Sequence, residues 1–342
     1  MNRNLLIQIG SILMIAMVIS SCAPSASMVK GEGESIDPVM GDWTGHRVMS
    51  NGMVVPMAVQ SIALGGNKYR FNMHKYFDRR DDGPEMSFEG QVEGGRIVVP
   101  ENPDMETTIN GGRISGRSAG KTAQSFELTH VTRPSPALGA KPPAGAIVLF
   151  DGTNLNAWER RDEKRRTTPV NWKLVGGAME VTPGGGDIVS KQKFTNFQLH
   201  VEFRSPFMPE ARGQARGNSG VYLQGRYEVQ VLDSYGLTGE DNECGGIYKV
   251  SKPRVNMCAP PGQWQTYDVT FHAPRFDTEG KKVKDAVATV IHNGIVIHEN
   301  LVLPGPTGGA FDENVQLPGG LLLQDHGNLV QFRNIWLVEL KN

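Results

Sequence analysis

Cysteine is nearly absent from this chain, with three in 342 residues, which excludes a small scaffold held together by many disulfides. Net charge is nearly absent too. The 35 basic residues balance 36 acidic ones to leave −1, so no global field draws the chain to nucleic acid or to an anionic membrane surface, and a neutral partner fits better. No long segment repeats its apolar residues every 3.6 positions, so helical bundles and α/β folds are excluded. The glycine pairs in "LVGGAME" and "GGNKYRF" lack the strand, loop and helix that would cradle a phosphate or dinucleotide. No histidines are paired one helical turn apart as metal ligands would be, and no Ser, His and Asp set stands out. What the chain has instead is 41 glycines and 21 prolines, the composition of many short strands joined by turns.

Residues 1–22, "MNRNLLIQIGSILMIAMVISSC", place Arg3 before an uncharged apolar run and end on small residues, which is the pattern of an export signal. The ending Ile19-Ser20-Ser21-Cys22 resembles the lipobox of bacterial lipoproteins. That resemblance implies a lipidated Cys22 and a protein anchored in the bacterial cell envelope, periplasm or outer membrane, through its N-terminal lipid alone. An uncleaved membrane anchor is the alternative. Residues 23–39 are small and polar, as a tether is. Cys244 and Cys258 then remain as a candidate disulfide in an oxidising compartment, with two buried free thiols as the alternative.

Short alternating runs over 40–133, separated by Gly-Gly and Asn-Gly-Gly turns, predict a small antiparallel β-meander or barrel of about six strands, with Trp43 plugging its core. Residues 134–145, rich in Pro, Ala and Gly, read as a linker. From 146 to 342 the strands lengthen. Phe197, Leu199, Val201 and Phe203 share one face, as do Tyr267, Val269 and Phe271, and Asn293-Gly294 marks a hairpin. The expectation is an all-β chain ending in a two-sheet sandwich. The run "ERRDEKRRTTP", 159–169, reads as a solvated charged loop.

One strand carries polar residues out of proportion to its setting. In "GNSGVYLQGRYEVQVLD", 217–233, Tyr227, Val229 and Val231 point one way while Glu228 and Gln230 point the other. By the same alternation Tyr222, Gln224 and Arg226 join the polar face, which reads as a concave sugar-binding surface rather than an outer one. Asp233 has the wrong parity unless a β-bulge follows Gln230. Farther along, Gln324, Asp325 and His326 precede the last strand, Trp264 offers a stacking face, and Lys249 and Asn256 lie in the Cys244–Cys258 loop. The remaining histidines within strand patterns, His200, His272, His292 and His298, read as packed or surface residues.

The segments "LFDGTNLNAW", "GNSGVYLQGRYEVQVLDSYG", "CGGIYK", "GQWQTYDVTF" and "LLLQDHGNLVQFRNIWL" together resemble the 3-keto-disaccharide hydrolase family, long known only as a domain of unknown function. The resemblance runs through the whole C-terminal domain. It implies a concanavalin A-like or laminarinase-like jelly-roll sandwich, and a neutral oligosaccharide or 3-keto-glycoside as partner. Laminarinase-like enzymes pair two glutamates about a central Asp, whereas Glu228, Gln230 and Asp233 depart from that pattern. Five residues of strand span roughly 16 Å, and a carboxylate pair must come within ~9.5 Å, which disfavours ordinary two-carboxylate hydrolysis. A ketone at C3 acidifies the C2 proton, so a single base can drive elimination of the C1 substituent before water adds. Glu228 is the expected base and His326 the second catalytic residue. Tyr222, Gln224, Arg226, Gln230, Asp233, Lys249, Asn256, Trp264, Gln324 and Asp325 are the expected substrate contacts, with Lys249 or Arg226 facing the developing enolate. No cofactor is called for. A divalent metal such as Ca²⁺, or one held by Asp325, His326 and Glu228, stays open, as does a non-catalytic carbohydrate-binding module.

Overall fold

The computed structural model describes residues 37–77, 83–100, 102–119, 123–161 and 167–341. The signal-like segment, Cys22 and most of the tether lie outside them. Eight strands come first: β1 (Gly41–Val48), β2 (Val54–Gly65), β3 (Lys68–His74), β4 (Met86–Glu93), β5 (Arg96–Val98), β6 (Glu106–Asn110), β7 (Arg113–Arg117) and β8 (Ser125–Val131). Consecutive strands pair except β5 with β6, which are the two edges, and β1 also pairs with β8. The β5 and β6 edges meet through the Thr107 hydroxyl, 2.6 Å from the Ile97 amide, and through the Ile109 amide, 2.7 Å from the Gly95 carbonyl. The result is a nearly closed up-and-down barrel of eight strands, two more than the sequence spacing suggests. The difference arises because β5, β6 and β7 are only three to five residues long. Trp43 is fully buried in one end of the barrel, its indole N–H donating to the Val39 carbonyl at 2.9 Å.

The rest of the chain forms β9 (Ile147–Phe150), β10 (Trp158–Arg161), β11 (Thr167–Thr168), β12 (Lys173–Val175), β13 (Ala178–Glu180), β14 (Ile188–Ser190), β15 (Phe197–Arg204), β16 (Ser219–Leu223), β17 (Tyr227–Val231), β18 (Gln265–His272), β19 (Arg275–Phe276), β20 (Lys282–Lys284), β21 (Ala286–His292), β22 (Ile295–Leu303), β23 (Leu322–Leu323) and β24 (Gln331–Glu339). Two antiparallel sheets stack. One runs β11-β10-β14-β23-β16-β17, and the other runs β12-β13-β24-β15-β18-β21-β22 with β9 beside β24. Alternation explains the packing. Val221, Leu223, Tyr227, Val229 and Val231 of the first sheet and Phe197, Leu199, Val201, Phe203 and Phe271 of the second are all buried in one core. Tyr227 meets Phe271 across it at 5.5 Å. The Tyr267 hydroxyl donates to the Gln230 carbonyl at 2.7 Å, tying the sheets together under the polar strand.

Three expectations change in detail. The charged run 159–169 is paired at its ends, with Arg160 opposite Thr168, because β10 continues the first sheet and β11 folds back on it. The segment 134–145 is pinned rather than free: Ser135 and Thr266 share a 2.6 Å hydrogen bond, and the Gly139 amide donates to Glu202 at 2.6 Å. Cys244 and Cys258 are buried free thiols. The Cys244 sulfur lies 3.2 Å from the Tyr267 hydroxyl, so this loop is held by packing and hydrogen bonds instead of a bridge.

Candidate active site

Strand order builds the site. The sequence β14-β23-β16-β17 sets four strands side by side, and their registers decide which side chains share the face turned away from the core. Tyr222 lies opposite Glu228 and Gly220 opposite Gln230. Leu322 lies opposite Tyr222 and Val189 opposite Leu322. Stepping two residues along each strand puts Asp187, Gln324, Gly220 and Gln230 in one row, while Val189, Leu322, Tyr222 and Glu228 form the next. Val189, Leu322 and Tyr222 pack with Phe311 into a small apolar cluster separate from the main core. Burial deepens across this face: His326 is exposed, Asp187, Gln324 and Asp325 are half-buried, and Glu228 is 3% exposed.

Gly220 makes room for the Glu228 carboxyl. A Cβ there would sit 2.5 Å from Glu228 Oε1 and 2.7 Å from Tyr222 Cε2. Gly220→Ala is therefore expected to displace the Glu228 carboxyl and lower at least tenfold any turnover that depends on it, with far-ultraviolet circular dichroism unchanged. A fully active, folded alanine variant would show that the carboxyl does not depend on this notch.

Burial pushes the Glu228 carboxyl up to about 8, with the Tyr222 hydroxyl pulling it down and the Asp187 charge pushing it further up. At neutral pH most molecules therefore carry a proton on Glu228. Asp187 is also raised, first by burial and then by the Asp325 charge, against the favourable Asp325 amide and His326. The two aspartates are interlocked: the Asp325 amide donates to Asp187 Oδ1 at 2.8 Å, and the Gly186 and Gly327 amides donate to the Asp325 carboxylate at 2.8 and 2.9 Å. Tyr222 reaches the Gly308 carbonyl at 3.1 Å and accepts from Gln324 at 3.1 Å. On or beside this face, Gln230 Oε1, Gln324 Oε1 and Asn218 Oδ1 are buried without a protein partner. Such acceptors suit sugar hydroxyls, since a buried polar atom left unpaired is costly. Among the described residues no group of three or more His, Cys, Asp and Glu side chains is placed to hold a metal ion.

The structure thus brings together Tyr222, Glu228, Gln230, Gln324, Asp325 and His326. It turns the others to different work. Gln224, in the hairpin turn at φ 52°, donates to the Phe194 carbonyl at 2.8 Å, because the turn breaks the alternation that would have kept it on the face. Arg226 is buried, bonding Asp312 at 2.7 Å and the Leu317 carbonyl at 2.8 Å, so it clamps the loop over the site. The β16–β17 register runs unbroken from Ser219 to Val231. With no bulge, Asp233 lies past the strand end, paired with Arg216 at 2.6 Å. Asn256 donates to the Ser234 and Leu237 carbonyls at 2.9 Å. Lys249 lies 3.6 Å from Asp241 and over Tyr248. Trp264 is flanked by Arg204 and Arg333, at 4.9 and 4.1 Å from its ring, and Arg333 bonds Glu202 on β15 of the other sheet. Asp187 escaped the sequence reading. Its signal was a carboxylate placed by "GGGDIVS" directly before a strand.

A model of the 3-keto-alpha-glucoside-1,2-lyase-like domain matches residues 145–338, more than half of the chain. The chain belongs to this family. The match spans the sandwich, including every residue of the polar face, and leaves the barrel outside it. A curated 3-keto-disaccharide hydrolase of Bacteroides thetaiotaomicron is 28% identical over 106 residues, covering 28% of this chain and 32% of that one; the chain thus spans about a third of that relative's length. A crystal structure from Parabacteroides distasonis ATCC 8503, described as a candidate glycosyl hydrolase, is 40% identical with a TM-score of 0.52, covering 58% of this chain and 85% of the other.

Proposed function

We propose that this chain cleaves the glycosidic bond of 3-keto-glycosides by elimination followed by hydration, acting on sugar exported to or met in the bacterial cell envelope. The observation that carries the reading is Glu228, a carboxyl buried on a polar face and raised to about 8. That shift reverses the role expected from sequence. A carboxyl that keeps its proton at neutral pH is a poor base and a good acid, so Glu228 protonates the departing C1 oxygen. The C2 proton goes to His326, whose positive charge then favours the Asp187 carboxylate. As C2–H breaks, its electron pair forms the C1–C2 double bond and the C1–O pair leaves with the oxygen. The ketone oxygen gathers negative charge in this step, and the Gln324 amide, which spends only one of its two N–H groups on Tyr222, is a donor on the same face. Water then adds across the double bond, so the net reaction is hydrolysis. Gln230, Gln324 and Asn218 accept from the sugar hydroxyls. The lipid-anchored envelope location rests on the signal-like sequence alone.

The test is to incubate the purified protein with a 3-keto-disaccharide and with its unoxidised parent in D₂O. The expected result is cleavage of the keto sugar only, with deuterium at C2 of the product. Asp187 gives a second reading some support, since it supplies Glu228 with a carboxylate neighbour that sequence spacing did not suggest, as ordinary glycoside hydrolysis requires. Cleavage of the parent without deuterium at C2 would favour that reading. Binding without turnover of either sugar would leave a carbohydrate-binding module.

A further inference from the structure

The barrel formed by β1–β8 holds a cavity of about 420 Å³ that is partly open to solvent. Protein interiors pack as densely as organic crystals and keep few voids larger than a water molecule, and an empty apolar cavity destabilises a fold by forfeiting contacts on its lining. A volume of this size falls in the range of small-molecule sites. Eight strands are also the number at which a barrel interior either fills with side chains or holds one small ligand. Here both occur. Trp43 fills one end, and the space beyond it is lined by Met57, Val59, Phe71, Met73, Phe88 and Ile114.

The lining is apolar in its depth and polar toward one end. Met86 and Met105 bring its methionines to four, and unbranched thioether side chains adapt to flexible apolar ligands better than branched ones do. Thr107 faces the cavity but is satisfied within the wall, accepting from the Ile97 amide and donating to the Ile97 carbonyl. Arg47, four residues along β1 from Trp43, lines the same space with its side chain 31% exposed, and Glu85 lies 4.0 Å from its guanidinium. Ser118 and Gln124 line it as well. An apolar interior with one cation at a partly exposed position matches a single hydrocarbon chain ending in a carboxylate. We infer that the barrel binds a long-chain fatty acid, tail inside and carboxylate at Arg47. This site is separate from the polar face of the sandwich and does not depend on the reaction assigned there.

Titrating cis-parinaric acid into the full chain and following its fluorescence tests this. Saturable 1:1 binding that hexadecanoate displaces is expected. Ile114→Trp, which fills the cavity, is expected to weaken binding at least tenfold; should that variant misfold by circular dichroism, Met105→Trp, at a half-buried lining position, serves instead. Arg47→Leu is expected to weaken hexadecanoate at least fivefold while leaving hexadecanol unchanged. The inference is overturned by no saturable signal from folded protein, by binding that survives a folded cavity-filling variant, or by equal loss of the acid and the alcohol in Arg47→Leu. Uptake of a diacyl phospholipid from vesicles in preference to the free acid would also overturn it.

Discussion

Glu228→Gln is expected to lower kcat for the proposed keto-glycoside cleavage by about 10²–10⁴-fold, the usual contribution of a positioned proton donor, and to make the protein more stable at neutral pH. Both effects come from one cause. The carboxyl has an ordinary value of 4.5 and stands at about 8 in the fold. Between those two values the native state holds a proton that the unfolded chain has lost. Stability therefore falls as pH rises from 4.5 to 8 and levels off above. At pH 7 the deficit is about 3 kcal/mol, at 1.36 kcal/mol per unit. Glutamine fills the same space and has nothing to ionise, so its melting temperature should match the wild type near pH 4 and exceed it increasingly up to pH 8. Activity depends on the same proton. Because the working form is protonated, kcat/KM should fall as pH rises through about 8. Parallel melting curves for the two proteins, or full activity in the glutamine variant, would remove Glu228 from the role of acid.

Sequence alternation located this residue but misread its partners, and the reasons are physical. Period-two spacing is strict inside a strand, so Tyr227, Val229 and Val231 could be assigned to the core and Glu228 and Gln230 to the opposite face without coordinates. It ends where the strand ends. Gln224 and Arg226 sit in a turn with positive φ at Gln224 and Gly225, so projecting the same period through them put both on the sugar face, whereas Asp233, two residues past Val231, could join that face only through a bulge that the unbroken β16–β17 register lacks. The protonation state was not legible at all. It depends on how the loop carrying Gly308 and Phe311 covers the face, where Tyr222 and Phe311 pack together.

Asp187 illustrates the other limit. It is separated from Glu228 by 41 positions and meets the site only because β23, from the far end of the chain, inserts between β14 and β16. Nothing local in "GGGDIVS" announces that neighbour. The barrel was legible as a meander, since Gly-Gly and Asn-Gly-Gly turns delimit its strands, yet its closure depends on Thr107 reaching Ile97, a contact between two of the shortest strands.

Arg216→Ala is expected to destabilise the protein by about 3–5 kcal/mol, the cost of removing one partner from a buried ion pair. Asp233 is 4% exposed and Arg216 6% exposed, and their side chains meet at 2.6 Å. Burial already raises the Asp233 carboxyl, and Arg216 is the first influence that pulls it back down. Without the guanidinium, Asp233 must either stay charged with its main counter-ion gone or take up a proton. The variant's deficit should therefore be largest at high pH and shrink as pH falls and the carboxyl becomes neutral. Arg216 also donates to the barrel through the Ala63 carbonyl at 3.1 Å, so its loss loosens the seam where Tyr235 meets Asp42 at 2.6 Å and Asn72 meets Gly236 at 2.7 Å. The double change Arg216→Met with Asp233→Leu removes both charges and should recover much of the loss, as apolar replacements of buried pairs often do. Urea denaturation of the three proteins at pH 5 and pH 8 measures each difference. A single variant within about 1 kcal/mol of the wild type at both pH values would show that Asp233 is not held by this pair, and would reopen a role for its carboxylate elsewhere.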